Sequence, residues 1–220
     1  MTIRSSLRST IGPGLCSALG RVRNEIRMAV AHGKSVRKAK RLPLVGLRLN
    51  CGCGPNLKQG WINIDPSNSE ADLHLDLRRP LPFRNGSATA IYSEHFFEHL
   101  EYPAETSVFL AESLRILKPG GRFRVGVPDT EWPIMSYAFG DDLFFEKARE
   151  FWHPRWCDTR MHNINYHFRQ GTEHKYAYDY ETLEKILIEA GFSSVTRASF
   201  DPALDSKSRE LGTLYAEALK

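Results

Sequence analysis

Short apolar runs alternate with turn residues through the middle of the chain. Residues 47–51, 61–64, 88–93 and 122–127 are each apolar or alternating, and glycine, proline or polar residues bound them. This pattern is typical of strands. Because helix-length stretches separate the later runs, the pattern predicts an α/β fold with a mostly parallel sheet.

The clearest helical stretch precedes the strand predicted at residues 122–127. Leu110, Leu114 and Leu117 recur at i, i+4 and i+7, and so they lie on one face of a helix. Residues 118–121 (Lys-Pro-Gly-Gly) then place a cation before helix breakers, which predicts that the helix ends there.

The last forty residues predict one more helix and two more strands. Asp179 is a candidate N-cap and Gly191 a candidate helix stop. Residues 194–198 and 212–218 have the apolar character of strands. The apolar face of the helix is formed by Leu183, Ile186 and Leu187.

An amphipathic helix is predicted near the start of the chain, beginning after residues 12–14 (Gly-Pro-Gly). Its apolar positions, at i, i+4, i+7 and i+11, are Leu15, Leu19, Val22 and Ile26. Its other face and the segment after it are basic, with Arg21, Arg23, Arg27, Lys34, Arg37, Lys38, Lys40 and Arg41.

Charge is unevenly distributed between this arm and the rest of the chain. The 220 residues carry a net charge of +4. Residues 1–41 contain ten Lys or Arg and one acid, whereas the remainder contains twenty basic and twenty-five acidic residues. We therefore expect a basic helical arm at residues 1–42 and a single, mildly acidic domain at residues 43–220.

Three roles are open for the arm. Only residues 55–60 separate the first two strands, whereas a parallel crossover usually needs a helix, so the arm could cover the sheet face that the shortened crossover leaves bare. A basic amphipathic helix also suits an anionic membrane surface. Nucleic-acid binding through phosphates is the least favoured role, because no aromatic residue precedes Trp61 to stack on bases.

Composition excludes several classes of protein. At this length the chain can bury the core of one α/β domain. No apolar run reaches membrane-spanning length or resembles a signal-peptide core, and the four cysteines favour a reducing compartment, so we expect a cytoplasmic protein. Cys51 and Cys53 have no second ligand pair at finger spacing, and no metal site is predicted.

The most informative residues follow the first predicted strand. Gly52 and Gly54 form a glycine pair directly after it, and Asp65 ends the second strand. Glycines allow a backbone to approach a ligand closely, and a carboxylate at this position can accept hydrogen bonds from both ribose hydroxyls. The pair and the acid together indicate a nucleoside cofactor.

Five motifs in this order resemble the class I S-adenosylmethionine-dependent methyltransferases. They are residues 51–54, Asp65, the Asp76–Leu77 pair, residues 93–100 (Ser-Glu-His-Phe-Phe-Glu-His-Leu) and residues 117–121. In style the chain is most similar to small methyltransferases associated with glycan and polysaccharide biosynthesis, on the basis of residues 60–65 and 174–179. The resemblance implies a Rossmann-like, doubly wound sheet of about seven strands whose last hairpin is antiparallel.

The same resemblance implies that S-adenosylmethionine is the cofactor and S-adenosylhomocysteine the product. The expected contacts surround the glycine pair, the ribose-binding acid, the adenine-contacting pair and the end of the strand at residues 88–93. They are Asn50, Gly52, Cys53, Gly54, Asp65, Asp76, Leu77 and Ser93.

An aromatic-rich insertion at about residues 130–178 is interpreted as a substrate lid. Residues 130–180 hold thirteen of the twenty-four aromatic residues, and in open α/β sheets ligands bind beyond the carboxyl ends of the strands. Flat aromatic faces suit a sugar ring or an aromatic acceptor. The same side chains could instead form the core of a small subdomain, and exposed ones could support a homodimer.

A hydroxyl acceptor is a poor nucleophile and benefits from a general base, for which histidine is suited by a pKa near neutrality. His95, just past the strand at residues 88–93, is the first candidate. His174, near the end of the lid, is the second. Asp129, just after the strand at residues 122–127, could orient either histidine or bind a metal.

The predicted activity is therefore methyl transfer to a hydroxyl of a sugar or oligosaccharide. Methylation of a quinol, a phenol or another natural product is the main alternative, because an aromatic lid serves both. RNA methylation is less favoured, since no amino-methylating Asn-Pro-Pro-Tyr-type motif follows the strand at residues 88–93. A non-catalytic module that keeps the cofactor fold is the remaining alternative.

Overall fold

A six-stranded sheet is the central element of the computed structural model, which describes residues 12–220. Residues 1–11, the start of the predicted basic arm, lie outside the described residues. In chain order the strands are β1 (Leu47–Cys51), β2 (Ile62–Ile64), β3 (Ala88–Glu94), β4 (Leu117–Pro128), β5 (Ser194–Ala198) and β6 (Thr213–Leu219).

The strand order in the sheet is β2-β1-β3-β4-β6-β5. The four strands from β1 to β4 are parallel, and β6 runs antiparallel to both β4 and β5. The predicted α/β, Rossmann-like fold with an antiparallel final hairpin is confirmed. One edge of the sheet therefore gathers the carboxyl ends of β1, β3 and β4 together with the start of β6.

Six α-helices accompany the sheet within residues 12–220. They are α1 (Pro13–Ala39), α2 (Ala104–Ile116), α3 (Glu131–Phe139), α4 (Leu143–Phe151), α5 (Arg160–Arg169) and α6 (Tyr180–Glu189). Asp179 caps α6 as predicted, because its side chain accepts a hydrogen bond from the backbone N–H of Thr182 at 2.8 Å.

The sheet has six strands, where the resemblance implied about seven. Residues 71–77 form only an isolated bridge between Leu73 and Ile64. Side chains of α1 accept hydrogen bonds from the backbone of this segment. The His74 backbone N–H donates to Ser35 Oγ at 2.8 Å, and the Asp76 backbone N–H donates to His32 Nδ1 at 3.1 Å. The segment therefore bonds to the helix and does not add a seventh strand.

The shortened first crossover is confirmed, since residues 52–61 contain no helix. The end of α1 packs against the main core through Val36 and Ala39. The apolar stripe of α1 does not take part in this packing. Its members are each between 54% and 60% exposed, and they are Leu15, Leu19, Val22, Ile26 and Val30.

Helix geometry explains why the stripe stays in solvent. At about 100° per residue, the face that docks, with His32, Ser35 and Ala39, lies about 150° around α1 from the centre of the stripe. The helix therefore docks by a small, partly polar face. Among the described residues, no helix is long and apolar enough to cross a membrane.

The lid consists of α3, α4 and α5, and it has its own small core. Phe144, Phe145 and Ala148 are fully buried there, and Trp132, Trp152 and Ile164 pack against them. The base of the lid is closed by a bridge between Asp129 and Tyr178 and by a hydrogen bond from Thr130 Oγ1 to the Tyr178 carbonyl at 2.6 Å.

Candidate functional site

A cavity of about 910 Å³ opens at the carboxyl ends of the parallel strands. Pro55 and Asn56 line it just after the glycine pair, and His95 and Pro128 line it where β3 and β4 end. Residues 207–212, which lead into β6, form another wall. The lid contributes Phe151, Trp152, His153, Tyr166, His167, Gln170 and His174.

The glycine pair adopts a backbone that only glycine accommodates well. Gly52 and Gly54 have φ values of +68° and +47°. A Cβ atom on Gly52 would lie 2.3 Å from Phe96, whereas one on Gly54 would meet no described atom within 4 Å. The loop is therefore packed tightly against Phe96 at Gly52, whereas Gly54 borders open space. This is the space that a cofactor needs.

Asp65 lies beside this opening. Its Oδ2 accepts a hydrogen bond from Gly54 N–H at 3.0 Å, and its Oδ1 accepts from the N–H groups of Ser67 at 2.7 Å and Asn68 at 2.8 Å. A carboxylate has about four acceptor positions. Three backbone donors thus hold Asp65 in place and leave about one position for a ligand.

Asn50 and Cys53 support the loop from within the protein. The buried Asn50 amide donates to the Asn56 carbonyl and to Asn63 Oδ1, both at 2.9 Å. Burial raises the pKa of the Cys53 thiol to about 12, so the thiol stays protonated and inert at neutral pH.

Ser93, Asp76 and Leu77 are buried. Within the described chain, Ser93 Oγ has no hydrogen-bond partner at the end of β3. Asp76 forms an ion pair with Arg78 at 2.9 Å, and Leu77 belongs to the main core. Asp65 and Ser93 thus lie at the carboxyl ends of β2 and β3, although neither lines the cavity, and the Asp76 carboxylate is engaged by an arginine.

Among the described residues, His95 and Gln170 are the two non-glycine residues with positive φ, and both line the cavity. Strained backbone of this kind clusters at functional sites. His95 Nε2 lies 2.9 Å from Thr213 Oγ1, and its Nδ1 lies 3.5 Å from Glu98 Oε1. Burial and the nearby Arg209 lower the pKa of His95 well below its usual range, so its imidazole is neutral at pH 7.

His174 joins His95 in the cavity wall, but Asp129 does not. The Asp129 carboxylate accepts a hydrogen bond from Glu131 N–H at 2.9 Å, at the start of α3. It is the backbone carbonyl of Asp129 that contacts a histidine, at 3.0 Å from His167 Nε2. Asp129 thus helps to position the lid, and its carboxylate is not directed at His95 or His174.

Comparison with known families decides the activity. Residues 53–125 match a family model described as a methyltransferase domain. The protein is an S-adenosylmethionine-dependent methyltransferase. S-adenosylmethionine is its cofactor, and the glycine pair, the free space above Gly54 and the anchored carboxylate of Asp65 fit that group.

Solved structures similar to this methyltransferase include other S-adenosylmethionine-dependent methyltransferases. One from Thermotoga maritima is 18% identical, with 92% of this chain and 96% of that chain covered and a TM-score of 0.46. One from Archaeoglobus fulgidus is 14% identical, with 88% and 94% covered and a TM-score of 0.47. At these values the likeness carries no conclusion about substrate. No curated protein sequence matches the chain significantly.

Sequence reasoning missed two parts of the methyltransferase site. Glu98 was noted only as part of a motif, yet it is buried beside His95, and burial raises its pKa to about 8. Residues 207–212 match no known motif. The two basic residues Lys207 and Arg209, just before β6, could nevertheless have indicated a polar wall.

The wall at residues 207–212 is held by a buried ionic network. Asp205 and Arg124 are both buried, and Arg124 Nε lies 2.9 Å from Asp205 Oδ1. Tyr92 donates to the same Asp205 oxygen at 3.1 Å, and Tyr215 donates to Glu94 at 2.8 Å. These contacts fix the loop against β3, β4 and β6.

Proposed function

We propose that this methyltransferase acts on a hydroxyl of a sugar or oligosaccharide held under the lid. The observation that carries the proposal is one cavity that unites Asn56, next to the glycine pair, with His95 and with aromatic lid faces such as Trp152. A sugar ring stacks its C–H face on aromatic rings, while its hydroxyls bond to polar groups such as Gln170 in the same wall.

Gly52, Cys53, Gly54 and Asp65 would hold the cofactor, with Asn50 keeping the loop rigid. Because three backbone donors already occupy Asp65, we infer that it accepts one ribose hydroxyl, where the sequence alone suggested both. When bound, the cofactor supplies a sulfonium methyl group that is open to in-line attack. The roles expected for Asp76, Leu77 and Ser93 remain proposals of the same kind.

His95 is the proposed general base. It faces the cavity, and Thr213 Oγ1 at 2.9 Å and Glu98 Oε1 at 3.5 Å restrain its two ring nitrogens. An acceptor hydroxyl that displaces the Thr213 contact would reach Nε2, which then takes the hydroxyl proton as the new C–O bond forms. His174, the second candidate, also lines the cavity, and its Nδ1 bonds to the His167 carbonyl.

Isothermal calorimetry with S-adenosylmethionine and S-adenosylhomocysteine tests the cofactor proposal. We expect both to bind, and we expect Asp65→Asn to weaken binding more than about tenfold, the loss of one charge-assisted hydrogen bond. Glu70→Gln, an exposed acid on the same loop, is the matched control. Binding that is unchanged in Asp65→Asn would reject the ribose assignment.

A radiolabelled methyl-transfer screen tests the acceptor. Oligosaccharides with free hydroxyls form one arm, and quinols and phenols form the other, since the aromatic wall also suits a flat ring. Label transfer to the phenolic arm alone would replace the sugar proposal by its main alternative. Transfer to RNA would favour the third class.

We also propose that α1 attaches the enzyme to an anionic membrane surface. Its exposed apolar stripe is flanked by Arg23, Arg27 and Lys34, which are themselves exposed. An apolar stripe beside cations is the arrangement that inserts at a headgroup boundary. A second copy of the chain on this stripe is the competing occupant, and it would appear as a dimer in the absence of lipid.

A further inference from the structure

Three metal-ligand side chains converge beside the cavity, and we refer to Glu98, His99 and His174 as the Glu98 cluster. One ligand atom from each of them lies within 4.8 Å of the other two. His99 Nε2, for example, lies 3.8 Å from Glu98 Oε1. The chain brings His174 to this point from the far end of the lid, about seventy-five residues after Glu98.

The cluster holds half of the buried polar atoms that lack a hydrogen bond. Six such side-chain atoms occur within residues 12–220, and three of them are Glu98 Oε1, Glu98 Oε2 and His174 Nε2. Glu98 is 1% exposed. A buried carboxyl group whose oxygens have no hydrogen-bond partner is unfavourable, so these atoms indicate a bound ligand that the described side chains do not supply.

The two histidines present the correct nitrogens for such an occupant. His174 Nδ1 lies 3.0 Å from the His167 carbonyl, and His99 Nδ1 lies 3.2 Å from the Glu173 carbonyl. A carbonyl can only accept, so each Nδ1 carries the hydrogen and each Nε2 carries the lone pair. Backbone carbonyls commonly orient metal-binding histidines in this way.

The space at the cluster suits a single small occupant. A second cavity of about 10 Å³ is lined by Glu98 and His174, and a volume of this size holds about one water or one ion. His99 does not line this cavity and reaches the cluster through Glu98, 3.8 Å from its Nε2. His174 also lines the large cavity. An ion bound to His174 would therefore lie next to the place where an acceptor enters.

We propose that Glu98, His99 and His174 bind one divalent transition-metal ion. Two imidazoles and one carboxylate suit Zn²⁺, Mn²⁺ or Fe²⁺, whereas Mg²⁺ and Ca²⁺ prefer oxygen ligands. Three protein ligands with open positions are typical of a catalytic centre and not of a structural one. The proposal goes beyond the proposed function, because it holds for any acceptor; a hydroxyl bound to such an ion would lose its proton to His95 more readily.

Equilibrium dialysis of the EDTA-treated full-length protein against Zn²⁺, with Mg²⁺ as the oxygen-preferring comparison, tests the proposal. We expect one Zn²⁺ per chain, a Co²⁺ absorption spectrum typical of nitrogen ligands, and a higher Tm with Zn²⁺. Glu98→Gln and His174→Asn should each weaken Zn²⁺ binding more than about tenfold. His162→Asn is the matched control, since His162 is an exposed histidine that bonds to Asp158 without a third ligand.

Two results would overturn the proposal. One is the absence of stoichiometric Zn²⁺ and Co²⁺ binding by the wild-type chain, as expected if a water fills the space. The other is equal Zn²⁺ binding by wild type and by whichever of the two variants keeps a wild-type circular dichroism spectrum. Calorimetry with S-adenosylmethionine on the same samples separates this outcome from a failure of the methyl-transfer proposal, because cofactor binding does not depend on the Glu98 cluster.

Discussion

The backbone of Gly52 lies directly against the ring of Phe96, where a Cβ atom would stand 2.3 Å from both Phe96 Cβ and Phe96 Cγ. This contact joins the glycine loop after β1 to the turn after β3, which carries His95. Packing thus fixes the cofactor loop relative to the proposed base, and the distance between them depends on the absence of a side chain at Gly52.

Gly52→Ala should destabilise the fold by about 2–4 kcal/mol, the sum of a left-handed backbone that alanine disfavours and a steric overlap in a packed site. Gly54→Ala should lower the free energy of unfolding by only about 1 kcal/mol, because it has the same kind of φ but open space. Urea unfolding measures both. Equal losses in the two variants would contradict the packing argument.

His95→Gln should lower kcat by about 10²-fold or more, the usual contribution of a general base. The dissociation constant for S-adenosylmethionine should stay within about twofold of wild type, because His95 is proposed to act on the acceptor. His162→Gln, which changes a lid histidine outside the cavity wall, should retain full turnover. A parallel loss of cofactor binding in His95→Gln would instead assign His95 to the cofactor pocket.

Asp205→Asn should lower the free energy of unfolding by about 3–5 kcal/mol, because it leaves the buried Arg124 without its nearest carboxylate. Glu150→Gln removes one partner of an exposed ion pair with Lys147, and it should cost less than about 1 kcal/mol. Chemical denaturation of both variants checks the difference. Arg124 also forms an ion pair with Glu217 at 2.9 Å. If Asp205→Asn is as mild as Glu150→Gln, this second ion pair alone supports the arginine.

Stability should fall with acid through the lid histidine His153. Burial lowers its pKa below 6.5, while its bond to Asn163 opposes the shift. The unfolded chain then binds the proton more tightly, so the stabilising contribution is complete above about pH 6.5 and is lost as the pH falls from there toward the folded pKa. Urea midpoints between about pH 5 and 7 should show a shallower slope in His153→Gln than in wild type.

Leu19→Ser with Ile26→Ser should abolish co-sedimentation with vesicles rich in anionic lipid, because both side chains belong to the exposed stripe of α1. The free energy of unfolding should change by less than about 0.5 kcal/mol, as for other exposed positions. Neutral vesicles should bind neither protein. Two results together would instead identify a second copy of the chain as the partner. The wild-type protein would not co-sediment with anionic vesicles, and it would be a dimer that the double substitution dissociates.

The spacing of apolar residues and the positions of glycine, proline and capping residues were enough to predict most of the fold. The apolar runs match β1 to β6, and the N-cap at Asp179 is confirmed, but β4 begins at Leu117, a residue that was predicted to lie on the preceding helix. The implied count of about seven strands was one too high, and residues 71–77, whose backbone donors bond to His32 and Ser35 of α1, do not add a strand. Local pattern also could not tell that α1 would dock by a face other than its apolar stripe.

For the site, the sequence pointed to the glycine pair, Asp65 and His95, because each directly follows a predicted strand. It could not show that three backbone donors already engage Asp65, or that a histidine near the end of the lid returns to Glu98. Such contacts depend on the path of the lid, which no periodicity encodes.

The bridge between Asp129 and Tyr178 has a consequence for engineering. Because the lid leaves and rejoins the domain at paired residues, its two ends are separated by about one inter-strand spacing, 5 Å. Because the bridge is parallel, a short turn cannot join its two residues, and a replacement needs a crossover of about a dozen residues or more; the lid of another enzyme could be grafted there without moving a strand. Exchange of the lid should thus alter acceptor preference while the sheet and the cofactor loop stay unchanged.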